Sequence, residues 1–195
     1  MNMPPSNPVL DLMRRHATAR HYHPDPIATG SVEPSDVSCA ACGMARGHVY
    51  TGPTHSEREL DRRICPWCIA DGRAHRVLGV TFVDERGIGG YSGRWGRVPA
   101  AVVRELVERT PGFLGWQEEQ WFTCCGDAAA FVGRAGKREL EAAGAEAIAL
   151  VREDLDLDEQ TWERYFDELD ADGSPTAYLF SCLHCGRLGG YSDCH

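Results

Sequence analysis

"CAACGMARGHVYTGPTHSERELDRRICPWC" (residues 39–68) holds two Cys-x-x-Cys pairs separated by 22 residues. Two intervening residues let the thiolates of one pair bind a single tetrahedral zinc ion at about 2.3 Å, and a second pair completes four ligands. The sequence therefore predicts a closed zinc site with four cysteine ligands: Cys39, Cys42, Cys65 and Cys68.

The residues that flank these pairs predict the local structure. Gly43 permits a tight turn with positive φ after the first pair, and Pro66 suits the first turn of a helix over "PWCIADGRAH" (66–75). A knuckle, a hairpin and a helix that carries the second pair form the layout of a treble-clef zinc finger. "CPWC" alone also resembles a thiol-oxidoreductase motif, but there the pair follows a buried strand, and "SERELDRRI" (56–64) has no continuous apolar run.

A second knuckle, "CLHCG" (182–186), has no further Cys-x-x-Cys pair downstream. The adjacent cysteines of "TCCGDAAAF" (123–131) stand at the start of a predicted short helix, in the role that Cys65 and Cys68 play in the first site. A second zinc ion is therefore predicted, with four cysteine ligands: Cys124, Cys125, Cys182 and Cys185. Cys194 and His195 are alternatives to Cys124, and a vicinal disulfide or a catalytic thiol are alternatives to metal.

Length and composition set the class of protein. A chain of 195 residues with 43% hydrophobic and 25% charged residues is ordinary for a globular protein. We expect a cytoplasmic location, because there is neither a membrane-spanning apolar run nor a secretory signal pattern. The expected organisation is an extended arm over 1–21 and a single zinc-binding domain over 22–195, with a first finger in 22–95 and a helical region with the second zinc site in 96–195. His21 and His23 are expected at the surface.

Hydrophobic periodicity predicts an α+β fold with short strands near the cysteines and more helix in the second half. Strands are predicted within 46–52, 80–84 and 176–182. Helices are predicted within 98–112, 137–154 with a break near Gly144, and 158–169.

Five stretches resemble the CbrC family of bacterial proteins: "HPDPIATGSVEPSD", "ARGHVYTGP", "CPWCIADG", "RTPGFLGWQEEQWFTCCGDAAAFVG" and "DGSPTAYLFSCLHCGRLGGYSD". The likeness runs from about Tyr22 to the C-terminus and includes the repeated Cys-x-x-Cys motifs. It implies an association with tolerance of a nuclease colicin, and it supplies no catalytic residues.

The net charge of −9 argues against nucleic acid as a partner and suits a basic protein, such as a nuclease-type toxin. The chain contains no HExxH, P-loop, GxSxG or dinucleotide motif, so no catalytic residue is predicted. The leading hypothesis is a zinc-stabilised binding protein of toxin-tolerance or immunity type, which contacts neither nucleic acid nor membrane. The alternatives are a metal-dependent hydrolase or transferase with an open second zinc site, and a thiol-redox or metal-sensing protein.

Overall fold

A computed structural model describes residues 22–91 and 93–195, apart from the side chain of Asp154, so the predicted arm over 1–21 lies outside the described residues. The chain forms two compact units of mixed α+β structure. The first unit comprises the described residues up to Glu85 together with Ala100–Leu114, and the second comprises Arg86–Pro99 together with Gly115–His195. None of the described helices has the length and apolar character needed to cross a membrane.

The first unit contains two strands and three helices. In chain order these are β1 (Val32–Pro34), β2 (His48–Tyr50), α1 (Pro66–Ala70), α2 (Arg73–Leu78) and α3 (Ala100–Arg109). β1 and β2 pair antiparallel, with Val32 opposite Tyr50, and the first Cys-x-x-Cys pair lies in the connection between them. The predicted strand within 46–52 is confirmed, but it pairs with a strand before the knuckle and does not form a separate hairpin after it.

Two elements of this unit differ in part from the predictions. The helix expected over 66–75 is interrupted by Gly72, whose φ of 70° separates α1 from α2. The strand expected within 80–84 forms only a single bridge, between Thr81 and His55. The N–H of Phe82 donates instead to the carbonyl of Val107 on α3. Its buried ring packs at nearly a right angle to that of Tyr50, with ring centroids 5.4 Å apart. The segment therefore crosses the core as an irregular chain.

His23 is fully buried in the first unit, so its expected surface position is wrong. Its Nδ1 donates to the carbonyl of Pro111 at 2.7 Å, and its Nε2 lies 2.6 Å from Thr29 Oγ1. These contacts suit a neutral imidazole that joins the start of the described chain to residues after α3. Burial lowers the pKa of His23 from 6.5 to about 4, although the bond to Pro111 opposes the shift.

This burial predicts that acid destabilises the first unit. Between pH 6.5 and pH 4 the unfolded chain binds a proton at His23 that the folded chain excludes, so unfolding becomes easier as the pH falls. The expected slope is about 1.4 kcal/mol per pH unit. It is measured as the difference in unfolding free energy between the parent and His23→Gln, from urea titrations at several pH values.

The slope of the parent alone would not isolate His23, because cysteine ligands also take up protons in acid. The difference in slope between the parent and His23→Gln removes that shared contribution. We expect the parent to lose stability more steeply than His23→Gln across this range. The control His55→Gln changes an exposed histidine of the same unit and should keep the parent's slope. Equal slopes for the parent and His23→Gln would contradict the prediction.

In the described part of the second unit there are a hairpin, a three-stranded sheet and three α-helices. In chain order these are β3 (Thr123–Cys124), β4 (Asp127–Ala128), β5 (Ala130–Ala135), α4 (Lys137–Ala143), α5 (Ala145–Leu155), α6 (Glu159–Glu168), β6 (Thr176–Ser181) and β7 (Leu188–Asp193). The sheet order is β5-β6-β7, with both pairs antiparallel. Leu140, Val151 and Trp162 from the three helices form one buried cluster with Leu179 of β6.

The helices predicted within 137–154, with a break near Gly144, and within 158–169 are confirmed. Gly144 separates α4 from α5 with a φ of 98°, and Asp158 caps α6 by accepting the N–H of Thr161 at 2.9 Å. The short helix predicted after Asp127 is wrong, because this segment forms β4 and β5. Phe131 packs on Phe180 of the neighbouring strand at 5.3 Å, and this packing overrides the helix propensity of the alanines.

Candidate metal centres

The first cysteine group consists of Cys39, Cys42, Cys65 and Cys68, whose sulfur atoms all lie within 4.8 Å of one another. Gly43 has a φ of 72°, which lets its N–H bond the carbonyl of Cys39 at 2.7 Å and close the predicted knuckle. Cys65 is the N-cap of α1, Pro66 follows as its first residue, and Cys68 lies one turn on. The knuckle thus contributes the sulfurs of Cys39 and Cys42, and the start of α1 contributes those of Cys65 and Cys68.

The surroundings of the first cysteine group exclude water and hold its shape. Cys39, Cys65 and Cys68 are at most 3% exposed. The N–H of Cys65 donates to the sulfur of Cys39 at 3.3 Å, and the N–H of Ala40 donates to the carbonyl of Arg63 at 2.7 Å. These two bonds join the knuckle to the segment that enters α1.

The thiols of Cys39, Cys65 and Cys68 compete for ionisation. The hydrogen bond from the Cys65 side chain lowers the pKa of Cys39 to about 4, and the same bond raises the pKa of Cys65. Burial and the nearby charge of Cys39 raise the pKa of Cys68 to about 12. A dication at the centre would stabilise all four thiolates, so this donor set fits a thiophilic metal ion.

The second cysteine group consists of Cys124, Cys125, Cys182 and Cys185, and its four sulfurs also lie within 4.8 Å of one another. Its knuckle repeats the first one bond for bond. Gly186 has a φ of 73° and donates to the carbonyl of Cys182 at 3.0 Å, while Cys182 N–H donates to the carbonyl of Arg187 at 2.8 Å. The two glycine-ended motifs therefore fold alike.

The other half of the second group is a hairpin and not the predicted helix start. Cys124 ends β3 opposite Asp127 of β4, so Cys125 and Gly126 form a two-residue turn with φ of 55° and 76°. The Cys124 sulfur lies 3.7 Å from that of Cys125 and 3.8 Å from that of Cys185. Tetrahedral zinc with bonds of about 2.3 Å separates its sulfurs by about 3.8 Å, so adjacent cysteines can share one ion.

A polar contact braces the second group. The His184 side chain, inside the knuckle, donates from Nε2 to Asp127 Oδ2 at 2.8 Å and so joins the knuckle to the hairpin. Cys124 and Cys125 also line a cavity of about 480 Å³, whose charged lining residues are Arg94, Arg187 and Glu153.

The two groups differ in exposure. Cys125 and Cys185 are exposed, whereas Cys182 is 4% exposed. Burial opposes ionisation of Cys182, but the N–H groups of Cys185 and His184 lower its pKa to about 6. Burial raises the pKa of Cys124 to about 12, and its bond with Cys182 acts in the same direction. The thiolate form is thus favoured at Cys182, the first cysteine of the second knuckle, as it is at Cys39, the first cysteine of the first knuckle.

The alternative ligands at the C-terminus lie elsewhere. His195 packs against Trp116 with ring centroids 4.1 Å apart, and its N–H donates to Ser174 Oγ at 3.1 Å. The carbonyl of Cys194 accepts a bond from Gln117 Nε2 at 3.0 Å. The structure therefore groups Cys124, and neither Cys194 nor His195, with the other three sulfurs.

Comparison with known families places the chain among related proteins. The model of a family described as "Uncharacterised protein family (UPF0167)" matches residues 19–194. The chain belongs to the UPF0167 family. The match includes both cysteine groups completely.

Other UPF0167 proteins are similar over most of their length. A UPF0167 protein of Pseudomonas aeruginosa is 45% identical over 167 residues, which cover 85% of this chain and 90% of the relative. UPF0167 proteins of Mycobacterium bovis and Mycobacterium tuberculosis are each 43% identical over 178 residues, covering 88% of this chain and 90% of the relative. No solved structure matches the chain.

Proposed function

We propose that this UPF0167 protein is a zinc-stabilised binding protein, in which both cysteine groups hold structural zinc and an acidic surface recognises a basic protein partner. The observation that carries the proposal is the presence of two sets of four sulfurs, each within 4.8 Å. Four thiolates saturate a tetrahedral ion, and catalytic zinc sites instead keep one position for water or substrate. Thiolate ligands also select zinc over hard cations such as magnesium.

The charge distribution supports a basic partner. Residues 137–172 contain thirteen acidic and four basic residues, so this segment accounts for the whole net charge of −9. Glu141, Glu146, Glu153 and Glu163 of its helices are exposed. Glu139 is different, because it is half-buried and accepts the N–H of Gly136 at 3.0 Å as a helix cap.

The resemblance to the CbrC family adds a class of partner. A nuclease that binds phosphate backbones carries clustered lysine and arginine, which complement an acidic surface. We therefore propose a nuclease-type protein toxin as the partner, with the protein acting in tolerance or immunity. Opposite charges of this kind accelerate encounter and act less at high salt.

The test measures survival of bacteria exposed to a nuclease colicin, together with binding of the purified colicin nuclease domain. Cells without the protein should survive less well, and the parent protein should restore survival. The triple variant Glu146→Gln, Glu153→Gln, Glu163→Gln should weaken binding by roughly tenfold at low salt, with a smaller effect at high salt.

A matched control distinguishes the effect on affinity of charge on these helices from the effect of the protein's total charge. Asp36→Asn, Glu57→Gln, Glu59→Gln removes the same charge from exposed positions of the first unit and should keep the parent's affinity. Survival that does not depend on the protein, or nuclease binding that both triple variants weaken equally, would contradict the proposed recognition.

A further inference from the structure

The two cysteine groups differ in how easily a reagent in solution can reach them. In the first group, three of the four cysteines are at most 3% exposed and the fourth is partly buried. In the second group only Cys182 is buried, whereas Cys125 and Cys185 are exposed. The second group therefore presents two cysteines directly to the solvent, and no cysteine of the first group is exposed.

A cavity of about 480 Å³ gives another route to the second group, because Cys124 and Cys125 are among the residues that line it. A water molecule occupies about 30 Å³ in the liquid, so a small solute fits this space. Cys124, which is only partly exposed, is thus reachable as well. Three of the four cysteines of the second group are therefore accessible to small molecules.

Accessibility determines which of the two groups reacts first. A metal-bound cysteine stays deprotonated at neutral pH, and the thiolate is the form of cysteine that reacts with oxidants. Oxidation follows thiolate character and exposure. Both groups would carry thiolates on zinc, so exposure is the property that distinguishes them. Oxidants should therefore react with the second group before the first.

The distances within the second group indicate which sulfurs can pair. The Cys124 sulfur lies 3.8 Å from that of Cys185 and 3.7 Å from that of Cys125. Consecutive Cα atoms are about 3.8 Å apart, which is shorter than the span of about 4.4–6.8 Å that disulfides usually bridge. A bond between Cys124 and Cys185 avoids this restriction, because the two residues belong to different segments. It would join the hairpin to the knuckle, as the proposed ion would.

We propose that the second cysteine group is an oxidation site, at which a peroxide converts Cys124 and Cys185 to a disulfide and releases the zinc ion. The first group keeps its ion under the same conditions. This chemistry rests on the zinc-binding part of the proposed function and needs no protein partner.

Oxidation of this pair consumes one molecule of hydrogen peroxide. The exposed Cys185 thiolate attacks the peroxide, the O–O bond breaks, and a sulfenic acid and hydroxide form. The Cys124 thiolate then attacks the sulfenic sulfur, and formation of the S–S bond releases a second hydroxide. The two thiolates lose two electrons in total, which reduce the peroxide to two hydroxide ions. Two thiolates are then left, which is half of the four ligands of a structural zinc site.

The fold of the second unit makes this reaction reversible. The hairpin cysteines precede β5 and the knuckle cysteines follow β6, and these two strands pair through their own backbone hydrogen bonds. His184 Nε2 also donates to Asp127 Oδ2 at 2.8 Å, so a direct contact joins the knuckle to the hairpin. The oxidised chain therefore keeps its four sulfurs close together, and reduction in the presence of zinc should restore the site.

The experiment treats the full-length, metal-loaded protein with hydrogen peroxide and follows zinc release with a chromogenic chelator. We expect one ion per chain to leave at least about tenfold faster than the other, because only the second group has exposed cysteines. Dithiothreitol with added zinc should then restore two ions per chain.

Mass spectrometry of a tryptic digest locates the disulfide. After loss of the first ion, the peptides 110–134 and 165–187 should be joined, since they carry the hairpin and knuckle cysteines. The peptides 21–46 and 64–73, which carry the first group, should remain unlinked.

Two variants distinguish the reacting pair from other thiols. Cys194→Ser removes an exposed cysteine outside both groups and should change the rate of zinc release less than about twofold. Cys185→His supplies another zinc ligand but removes the attacking thiolate, so it should slow release at least about tenfold. Where Cys185→His fails to hold a second ion, the position of the disulfide in the parent protein remains the test.

Four results would overturn the inference: equal rates of release for the two ions, a first disulfide within the first group, release that Cys194→Ser prevents, or unslowed release from Cys185→His loaded with two ions. Retention of both ions throughout would also overturn it, and would leave both zinc sites of the proposed function intact. A parent protein that holds only one ion would instead remove the second zinc site, and with it this part of the proposed function.

Discussion

A Cys65→Ser variant is expected to lose one metal ion per chain and, with it, the folded structure of the first unit. Structural zinc contributes roughly 10–16 kcal/mol of apparent binding free energy at neutral pH, which is comparable to the total stability of a domain. The strands of this unit have three residues each, and α1 and α2 have five and six. Elements this short have little stability of their own, so the proposed ion would contribute most of what joins them.

The measurement combines metal content with hydrogen exchange resolved along the chain. Amides of the first unit, such as that of Tyr50, should lose protection, because the bond from Tyr50 to Ile64 (2.8 Å) lies in the segment between the cysteine pairs. Ala40→Ser is the control, because it adds a hydroxyl at an exposed position of the same knuckle without removing a sulfur. Full metal content with unchanged melting of Cys65→Ser would refute the zinc site.

A Cys124→Ser variant is expected to reduce the metal content from two ions per chain to one and to destabilise the second unit. The loss of stability should be smaller than for Cys65→Ser, because the sheet β5-β6-β7 and its buried helical cluster persist without the ion. Metal analysis after gel filtration gives the stoichiometry, and thermal unfolding gives the stability.

Cys194→Ser is the matched control for this second site. It removes an exposed thiol that lies outside the second cysteine group, so the protein should retain two ions per chain. A fall to one ion in Cys194→Ser, with two ions kept in Cys124→Ser, would assign the fourth ligand to the tail. One ion in the parent protein would remove the second site altogether.

The first cysteine group was predictable because its geometry is local. A Cys-x-x-Cys-Gly sequence carries its own turn, and Pro66 after Cys65 marks the helix start that carries the second pair. The spacing of the four cysteines is therefore nearly sufficient to predict the site. The apolar pattern of 80–84 predicted a strand, but among the described residues this segment pairs only with His55, through Thr81.

The second cysteine group depends on contacts that are distant in sequence. Cys124 and Cys182 meet because β5 pairs with β6, and no local pattern fixes that pairing. The alanines after Asp127 favoured a helix, whereas the packing of Phe131 on Phe180 determines a strand. The available signal was the Cys125-Gly126 dipeptide, a weak form of the Asn-Gly turn that marks tight hairpins.

At Cys125 the backbone of the turn and the proposed metal site favour different residues. An L-residue at a φ of 55° costs about 1 kcal/mol or more relative to glycine, and asparagine also tolerates this conformation better. Cys125→Asn should therefore give a hairpin that forms more readily in the metal-free chain but cannot complete the cluster. A thiol at this position therefore strains the turn, and binding of the proposed ion would offset that strain.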